Sequence, residues 1–251
     1  MNLTVLGADG SWPSPGGAAS GYLLEHDGFH VWIDMGTGTM ANLQKHIGLY
    51  DVGAVVVSHV HADHLVDLFT YFYSRNYGPP DPPPSIPLVV PQGAIAHVMA
   101  MLSGSGGEDL VKRFDVDEMI PGEDRDLGPF RLTTAGMAHP VPTLGMRLEA
   151  GGTSFAYSAD TGESEELVSL ARGANLGLIE ATWLDDGAEY PPDIHLTARE
   201  AGEHATRAEV ERLVLCHINP MRDADRSRED AASTYGGPVE VAGVGKEWEI
   251  R

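Results

Sequence analysis

The chain has 251 residues, 42% of them hydrophobic, with 30 Gly and 17 Pro, which suits a single α/β domain over residues 1–251 and argues against disorder except at loop tips. Lys and Arg number 16 against 37 Asp and Glu; the net charge of -21 repels polyanions, so long nucleic acids are disfavoured as partners and a solvated acidic surface is the ordinary reading. The one cysteine, Cys216, excludes an internal disulfide and a four-sulfur zinc site, leaving any metal to nitrogen and oxygen ligands.

Met1 to Gly7 reads as a strand running into a turn, without the basic segment and long apolar run of a signal peptide. No apolar stretch is long enough to span a bilayer, so the cytoplasm is the expected location and no membrane partner is expected. Gly21 to Asp34 holds two apolar runs around Asp27-Gly28, which predicts a β-hairpin ended by Asp34. A short amphipathic helix is predicted over 39–47, and Ala54-Val55-Val56-Val57 then reads as a strand buried on both faces. That strand delivers the chain to Ser58-His59-Val60-His61-Ala62-Asp63-His64. Leu65, Leu68, Phe69 and Phe72 follow at helical spacing, so the histidine cluster sits on a strand-to-helix loop, a favoured place for chemistry.

Gly78 to Pro87 predicts a stiff surface connection, with a polyproline ligand as the other reading. Leu88 to Val90 resumes a strand and 94–102 a helix. Ser103-Gly104-Ser105-Gly106-Gly107 lacks the lysine and spacing of a phosphate-binding loop and reads as a flexible turn, the alternative being a mobile lid. Strands are predicted over 130–134, 143–149, 154–158, 176–180 and 212–216, and helices over 164–172 and 198–205, which completes a chain of two sheets packed between helical layers.

His59, His61, Asp63 and His64 form H-x-H-x-D-H, a dense group of imidazole and carboxylate ligands directly after a buried strand. Such a group also arises by chance on exposed loops. Against chance, His139, Asp160 and His217 each follow a predicted strand, and all three fit loops on one rim.

On these motifs the sequence resembles the metallo-β-lactamase superfamily over nearly the whole chain, from Gly7 and Asp34 to the His217 segment. The resemblance implies an αββα four-layer sandwich, two mixed β-sheets between helices, and a dinuclear metal-dependent hydrolase. By position, His59, His61 and His139 would hold one metal, Asp63, His64 and His217 the second, and Asp160 would bridge them. Asp34 resembles the family's buried aspartate, which supports the metal-binding loop by hydrogen bonds. Five imidazoles and two carboxylates suit Zn2+ best, with Mn2+ or Fe as alternatives. Two metals roughly 3.5 to 4 Å apart lower the pKa of a bridging water and so supply a hydroxide nucleophile; Asp63 would also orient that water.

The fold alone does not choose a substrate. His195-Leu196-Thr197-Ala198-Arg199-Glu200-Ala201, Glu180-Ala181-Thr182 and Tyr157-Ser158-Ala159-Asp160-Thr161 resemble the branch holding ribonuclease Z and related phosphodiesterases. There the histidine is catalytic without binding metal: His195 would donate a proton or hydrogen bond to the phosphate or leaving oxygen, with Glu180 orienting its ring. The bland reading leaves His195 an incidental ring before a helix capped by Thr197. Ribonuclease Z commonly carries a long tRNA-binding arm between the third-histidine and bridging-aspartate motifs, but His139 and Asp160 are only 21 positions apart. Ala19 to Leu24, Tyr157 to Gly162 and Pro191 to Leu196 are similar to actinobacterial relatives described as cyclic-nucleotide phosphodiesterases. The expected substrate is therefore a small phosphodiester such as a 3′,5′-cyclic nucleotide, the alternatives being RNA 3′-processing and lactone, ester or thioester hydrolysis. A homodimer is expected from the resemblance only.

Trp12, Tyr71, Tyr73 and Trp183 read equally as pocket walls or as packing. Cys216 reads as an inert core thiol, and Arg222, Arg226 and Arg228, among Asp223, Asp225, Glu229 and Asp230, as a mixed solvated face.

Overall fold

In the computed structural model, which describes residues 1–102 and 104–251, the chain order is β1 (Asn2–Gly7), β2 (Gly21–His26), β3 (Phe29–Ile33), α1 (Thr39–Leu43), β4 (Val52–Val56), α2 (Ala62–Leu65), α3 (Asp67–Tyr77), β5 (Ile86–Pro91), α4 (Ala94–Met101), α5 (Gly106–Arg113) and β6 (Phe114–Met119). It continues with β7 (Asp124–Leu127), β8 (Phe130–Gly136), β9 (Leu144–Ala150), β10 (Thr153–Tyr157), α6 (Glu165–Leu170), β11 (Leu176–Glu180), α7 (Ala198–Arg207), β12 (Leu213–Cys216), α8 (Ala224–Ala232), β13 (Val239–Val241) and β14 (Glu247–Glu249).

The strands form two seven-stranded sheets among the described residues, ordered β14-β1-β2-β3-β4-β5-β6 and β13-β12-β11-β10-β9-β8-β7. Period-two alternation assigns their faces. Leu3, Val5, Val31, Ile33, Ala54 and Val56 of the first sheet meet Leu132, Met146, Phe155, Leu178 and Val214 of the second in a shared core. Leu6, Trp32, Val55 and Val57 point the other way, onto Leu43, Leu68, Phe72, Val98 and Leu110 from the helices α1 to α5. Ile179, Leu213 and Leu215 likewise turn outward onto Leu167, Ala198, Ala201 and Ala231 from α6 to α8. A strand inside this four-layer αββα sandwich has no solvent face, which is why the β4 run is apolar throughout.

β3 to β6 run parallel, as do β10 to β13. Parallel strands place their carboxyl ends together, and the segments after β4, β10, β11 and β12 carry the residues discussed below. Three residues just past strand ends, Asp34, Ala159 and His217, have φ of 55°, 53° and 52°. That left-handed turn re-aims the chain at the rim and is costly for non-glycine residues.

The hairpin at Asp27-Gly28 forms as expected, with both turn residues at positive φ. Several expectations need correction. The helix expected over 39–47 stops at Leu43, after which Lys45 and His46 bond back three residues in tighter turns. Gly106 and Gly107 are not turn residues: they open α5, whose first turn carries Glu108 and Asp109 and whose last carries Lys112 and Arg113, signs that suit the helix dipole. Ser103, the first residue of the expected turn or lid, lies outside the described residues. The chain does not end its regular structure at Cys216, since α8, β13 and β14 follow, and β14 pairs with β1. Among the described residues no helix is long and apolar enough to cross a membrane.

Met35 clamps the histidine segment through backbone bonds: its N–H donates to His64 O at 2.7 Å, and Asp67 N donates to Met35 O at 2.7 Å, while the Gly36 N–H donates to Ser20 O at 2.8 Å. A Cβ on Gly36 would lie 2.0 Å from the Asp63 carbonyl oxygen and 2.7 Å from that of Ser20. Gly36→Ala is therefore expected to destabilise the protein by about 3 kcal/mol, the upper range for overpacking, and urea unfolding of the metal-free variant measures it.

Candidate metal centre

The rim brings together all seven residues expected to bind metal. His59, His61, His139 and Asp160 offer donor atoms within 4.8 Å of one another, and so do Asp63, His64, Asp160 and His217. Asp160 belongs to both groups. In the first, His61 Nδ1 lies 3.1 Å from His59 Nε2 and 3.1 Å from His139 Nε2, with Asp160 Oδ2 at 3.6 Å from His59. In the second, His217 Nε2 lies 3.1 Å from Asp63 Oδ2 and 3.4 Å from Asp160 Oδ2, and His64 Nε2 lies 3.2 Å from Asp160 Oδ1. Bonds of about 2.0–2.1 Å to a tetrahedral ion separate its ligand atoms by roughly 3.3 Å, close to these spacings.

Four of the five imidazoles are held by the ring nitrogen that points away from the cluster. Ser58 Oγ accepts from His59 Nδ1 at 2.9 Å and itself donates to Asp34 Oδ2 at 2.9 Å. Asp34 Oδ2 also accepts from His64 Nδ1 at 2.7 Å and from Tyr157 OH at 2.8 Å, while its Oδ1 takes the Ser58 N–H at 2.7 Å. The support expected of Asp34 is thus present, and Tyr157 joins it. The Ile194 carbonyl accepts from His139 Nδ1, and Thr182 Oγ1 from His217 Nδ1, both at 2.8 Å. Such contacts fix the tautomer and aim the other nitrogen inward.

Burial above all, aided by His64 alongside, keeps His59 neutral well below the usual histidine range; burial lowers His61 and His139 as well. Burial opposes ionisation of Asp160, but His217 and His64 outweigh it and hold the carboxyl well below its ordinary range. Asp63 is half-buried, and burial opposes its ionisation too, yet the hydrogen bond from His217 and the charge of His64 lower its pKa. For His64 burial acts against the proton, and Asp160 with Asp34 overcomes it, raising the pKa. The same negative field that draws a proton there draws a metal cation. His64 Nε2 and Asp160 Oδ1, both buried, have no hydrogen-bond partner among the described residues although they face each other. Inward-facing imidazoles, ionised carboxylates and unpartnered buried atoms form a donor set suited to metal ions.

Glu180, His195 and His217 also converge, but Glu180 is already saturated. Its Oε1 accepts from His195 Nδ1 at 2.9 Å and Thr161 N at 2.7 Å, and its Oε2 from Thr182 Oγ1 at 2.8 Å. His195 stands over the cluster, stacked on His217 at 5.2 Å and 4.0 Å from Asp160 Oδ2. Burial disfavours its charged form, yet Glu180 by charge and hydrogen bond, and Asp160 behind it, raise its pKa above the ordinary value. Thr197, as expected, caps α7, in a reciprocal box with Glu200.

Residues 30–218 match the family model described as a beta-lactamase superfamily domain. The chain belongs to the beta-lactamase superfamily. With its His and Asp donor set it is a metal-dependent hydrolase of that superfamily. An uncharacterized protein of Mycobacterium tuberculosis is 38% identical to this superfamily member over 256 residues, which span 100% of this chain and 93% of the relative. A ribonuclease Z of Haloferax volcanii is 27% identical over 304 residues, 100% of this chain and 95% of that one. The crystal structure of the metallo-beta-lactamase fold protein YhfI from Bacillus subtilis superposes with a TM-score of 0.86 at 24% identity, covering 98% of each chain.

Within this superfamily site, Thr182 and Tyr157 were not legible as supports. Thr182 passes the His217 contact on to Glu180, so one carboxylate steadies both His195 and His217. Thr182→Val is expected to weaken metal binding by about 10–100-fold, read by competition with a chelating dye. Of the four candidate pocket aromatics, Tyr71 is a core residue, edge-on to Trp32 at 5.2 Å with its OH donating to Leu49 O. Tyr73 is exposed on α3, packed against Tyr77. Trp12 follows Ser11, whose N–H donates to Asp63 Oδ2 at 2.9 Å, and Trp183 stands edge-on to His195 at 5.2 Å. Arg222 is not simply solvated: it donates to Asp186 and to the Tyr190 hydroxyl, and Tyr190 stacks on Trp183 at 4.5 Å. Arg226 and Arg228 pair with Asp230 and Asp225 as a surface face. Cys216 is buried in the inter-sheet core, where burial pushes its thiol well up and leaves it inert.

Proposed function

We propose that this protein is a dinuclear phosphodiesterase acting on a small phosphodiester such as a 3′,5′-cyclic nucleotide. His59, His61 and His139 would hold one ion, Asp63, His64 and His217 the other, and Asp160 both. Two bound Zn2+ ions, or Mn2+ or Fe in their place, would supply an acidified water and polarise the phosphoryl oxygens.

The observation that carries the reading is the Glu180–His195 pair beside the shared Asp160. Glu180 accepts a hydrogen bond from Nδ1, which leaves His195 with Nε2 for the substrate. A protonated Nε2 there donates to a phosphate oxygen or to the leaving alkoxide, which in a ribose ester is a poor leaving group without a proton. Asp63, held by Ser11 N–H and His217, is placed to accept from the attacking water and orient it.

The likeness to a ribonuclease Z favours RNA 3′-processing as a second reading. Against it, the chain between His139 and Asp160 is taken up by β9 and β10, joined at Gly151-Gly152, which leaves no room for an arm. The net charge of -21 also offers nothing to replace one. A lactone, ester or thioester hydrolase would use the same cluster without needing His195.

Assays of the metal-loaded protein on cyclic AMP, bis(p-nitrophenyl) phosphate, a tRNA precursor and a lactone separate the three. Cleavage of cyclic AMP but not of the tRNA precursor supports the proposal, and cleavage of the lactone alone overturns it.

A further inference from the structure

We infer that the apolar slot beside His139 receives the base of a nucleotide substrate, an inference that rests on the phosphodiesterase reading above. Two clefts adjoin the histidine cluster, and their chemistry differs. The first, of about 480 Å³, runs outward from His195 and is lined by Glu163, Asp185, Asp193, Glu200 and Glu203 around one cation, Arg199. Its field repels any further phosphate on a substrate, and its two aromatic rings, Trp183 and Tyr190, already lie stacked on each other. The second, of about 350 Å³, opens at His139, between the ends of β5 and β6 and the connection from β8 to β9. Met119, Ile120, Met137, Pro140 and Val141 wall it, and among the described residues no Asp, Glu, Lys or Arg lines it.

A nucleobase is flat, apolar on both faces and polar at its edge, so it gains most from a narrow apolar slot with a hydrogen-bonding group at the mouth. The slot has both. Ile120 keeps 43% of its surface exposed, area that a base would remove from water. Pro121, Pro140 and Pro142 stiffen the backbone on two sides, so little order is lost on binding. Gln92 lies at the rim, its N–H anchored to Met119 O at 2.9 Å and its side chain exposed. Its amide offers a donor and an acceptor together, the pairing that a base edge uses. His139 lines the slot with its ring while its Nε2 faces the cluster, so a phosphate over the cluster and a base in the slot are neighbours.

Isothermal titration of the metal-loaded protein with adenosine 5′-monophosphate and with ribose 5-phosphate isolates the base. The nucleotide is expected to bind at least about tenfold tighter, the usual return on one apolar group in a pocket. Ile120→Glu should erase the difference, and Gln92→Ala should reduce it; both side chains are exposed, so circular dichroism and metal content should match wild type. Equal affinity of wild type for the two ligands, or a preference untouched by Ile120→Glu, overturns the slot. Turnover of cyclic AMP by wild type is measured alongside. Its absence removes the phosphodiesterase reading, while the ligand comparison still decides the slot.

Discussion

Asp160→Asn is expected to abolish hydrolysis of every substrate, by about 10³-fold or more, because it removes the one carboxylate shared by both groups of donors. Asp160 Oδ1 faces His64 Nε2 at 3.2 Å, and Oδ2 lies 3.4 Å from His217 Nε2 and 3.6 Å from His59 Nε2. An amide keeps the shape but loses the charge, and its NH2 points a donor at atoms that must themselves receive a cation. Metal content by elemental analysis should fall from two ions per chain to one or none. Retention of both ions with full activity would show that the bridge is not Asp160. The variant need not unfold without metal, since the substitution removes a buried negative charge as well as a ligand.

His195→Ala should separate chemistry from metal binding. His195 belongs to neither of the two donor groups that share Asp160, so metal content should match wild type. Loss of general acid assistance costs typically about 10²–10⁴-fold, and the loss should depend on the leaving group. Cyclic AMP must expel a ribose alkoxide and should lose most. Bis(p-nitrophenyl) phosphate expels a nitrophenolate that needs no proton, so it should lose far less. Equal losses on both would assign His195 to phosphate binding, and no loss on either would leave it an incidental ring. Glu180→Gln should follow the same ranking more weakly, because an amide still holds the ring but does not favour its proton.

Much of this centre can be read without coordinates, for physical reasons that differ by residue. The β4 run is legible because a strand with two buried faces cannot carry polar residues, and the histidines directly after it have no role in a core. His139, Asp160 and His217 are legible because each follows a recognisable strand. Thr182 and Tyr157 are not: a hydroxyl at a strand end looks alike whether it meets water or a histidine 35 positions away. The edges fail for another reason. β6 carries three acidic residues in six, and β7, β13 and β14 are three or four residues long, so they lack the apolar alternation that marks a central strand. In α8 only Ser227 and Ala231 are buried, and its start depends on the Asp223 cap instead of an apolar stripe.

His59, His61, Asp63 and His64 follow the first sheet, and His139, Asp160 and His217 follow strands of the second. The ions would therefore rivet one half of the polypeptide to the other, and free metal would enter the folding equilibrium by mass action. A cell starved of divalent metal would then lose the protein to its proteases, so that abundance, and not only turnover, reports the metal supply.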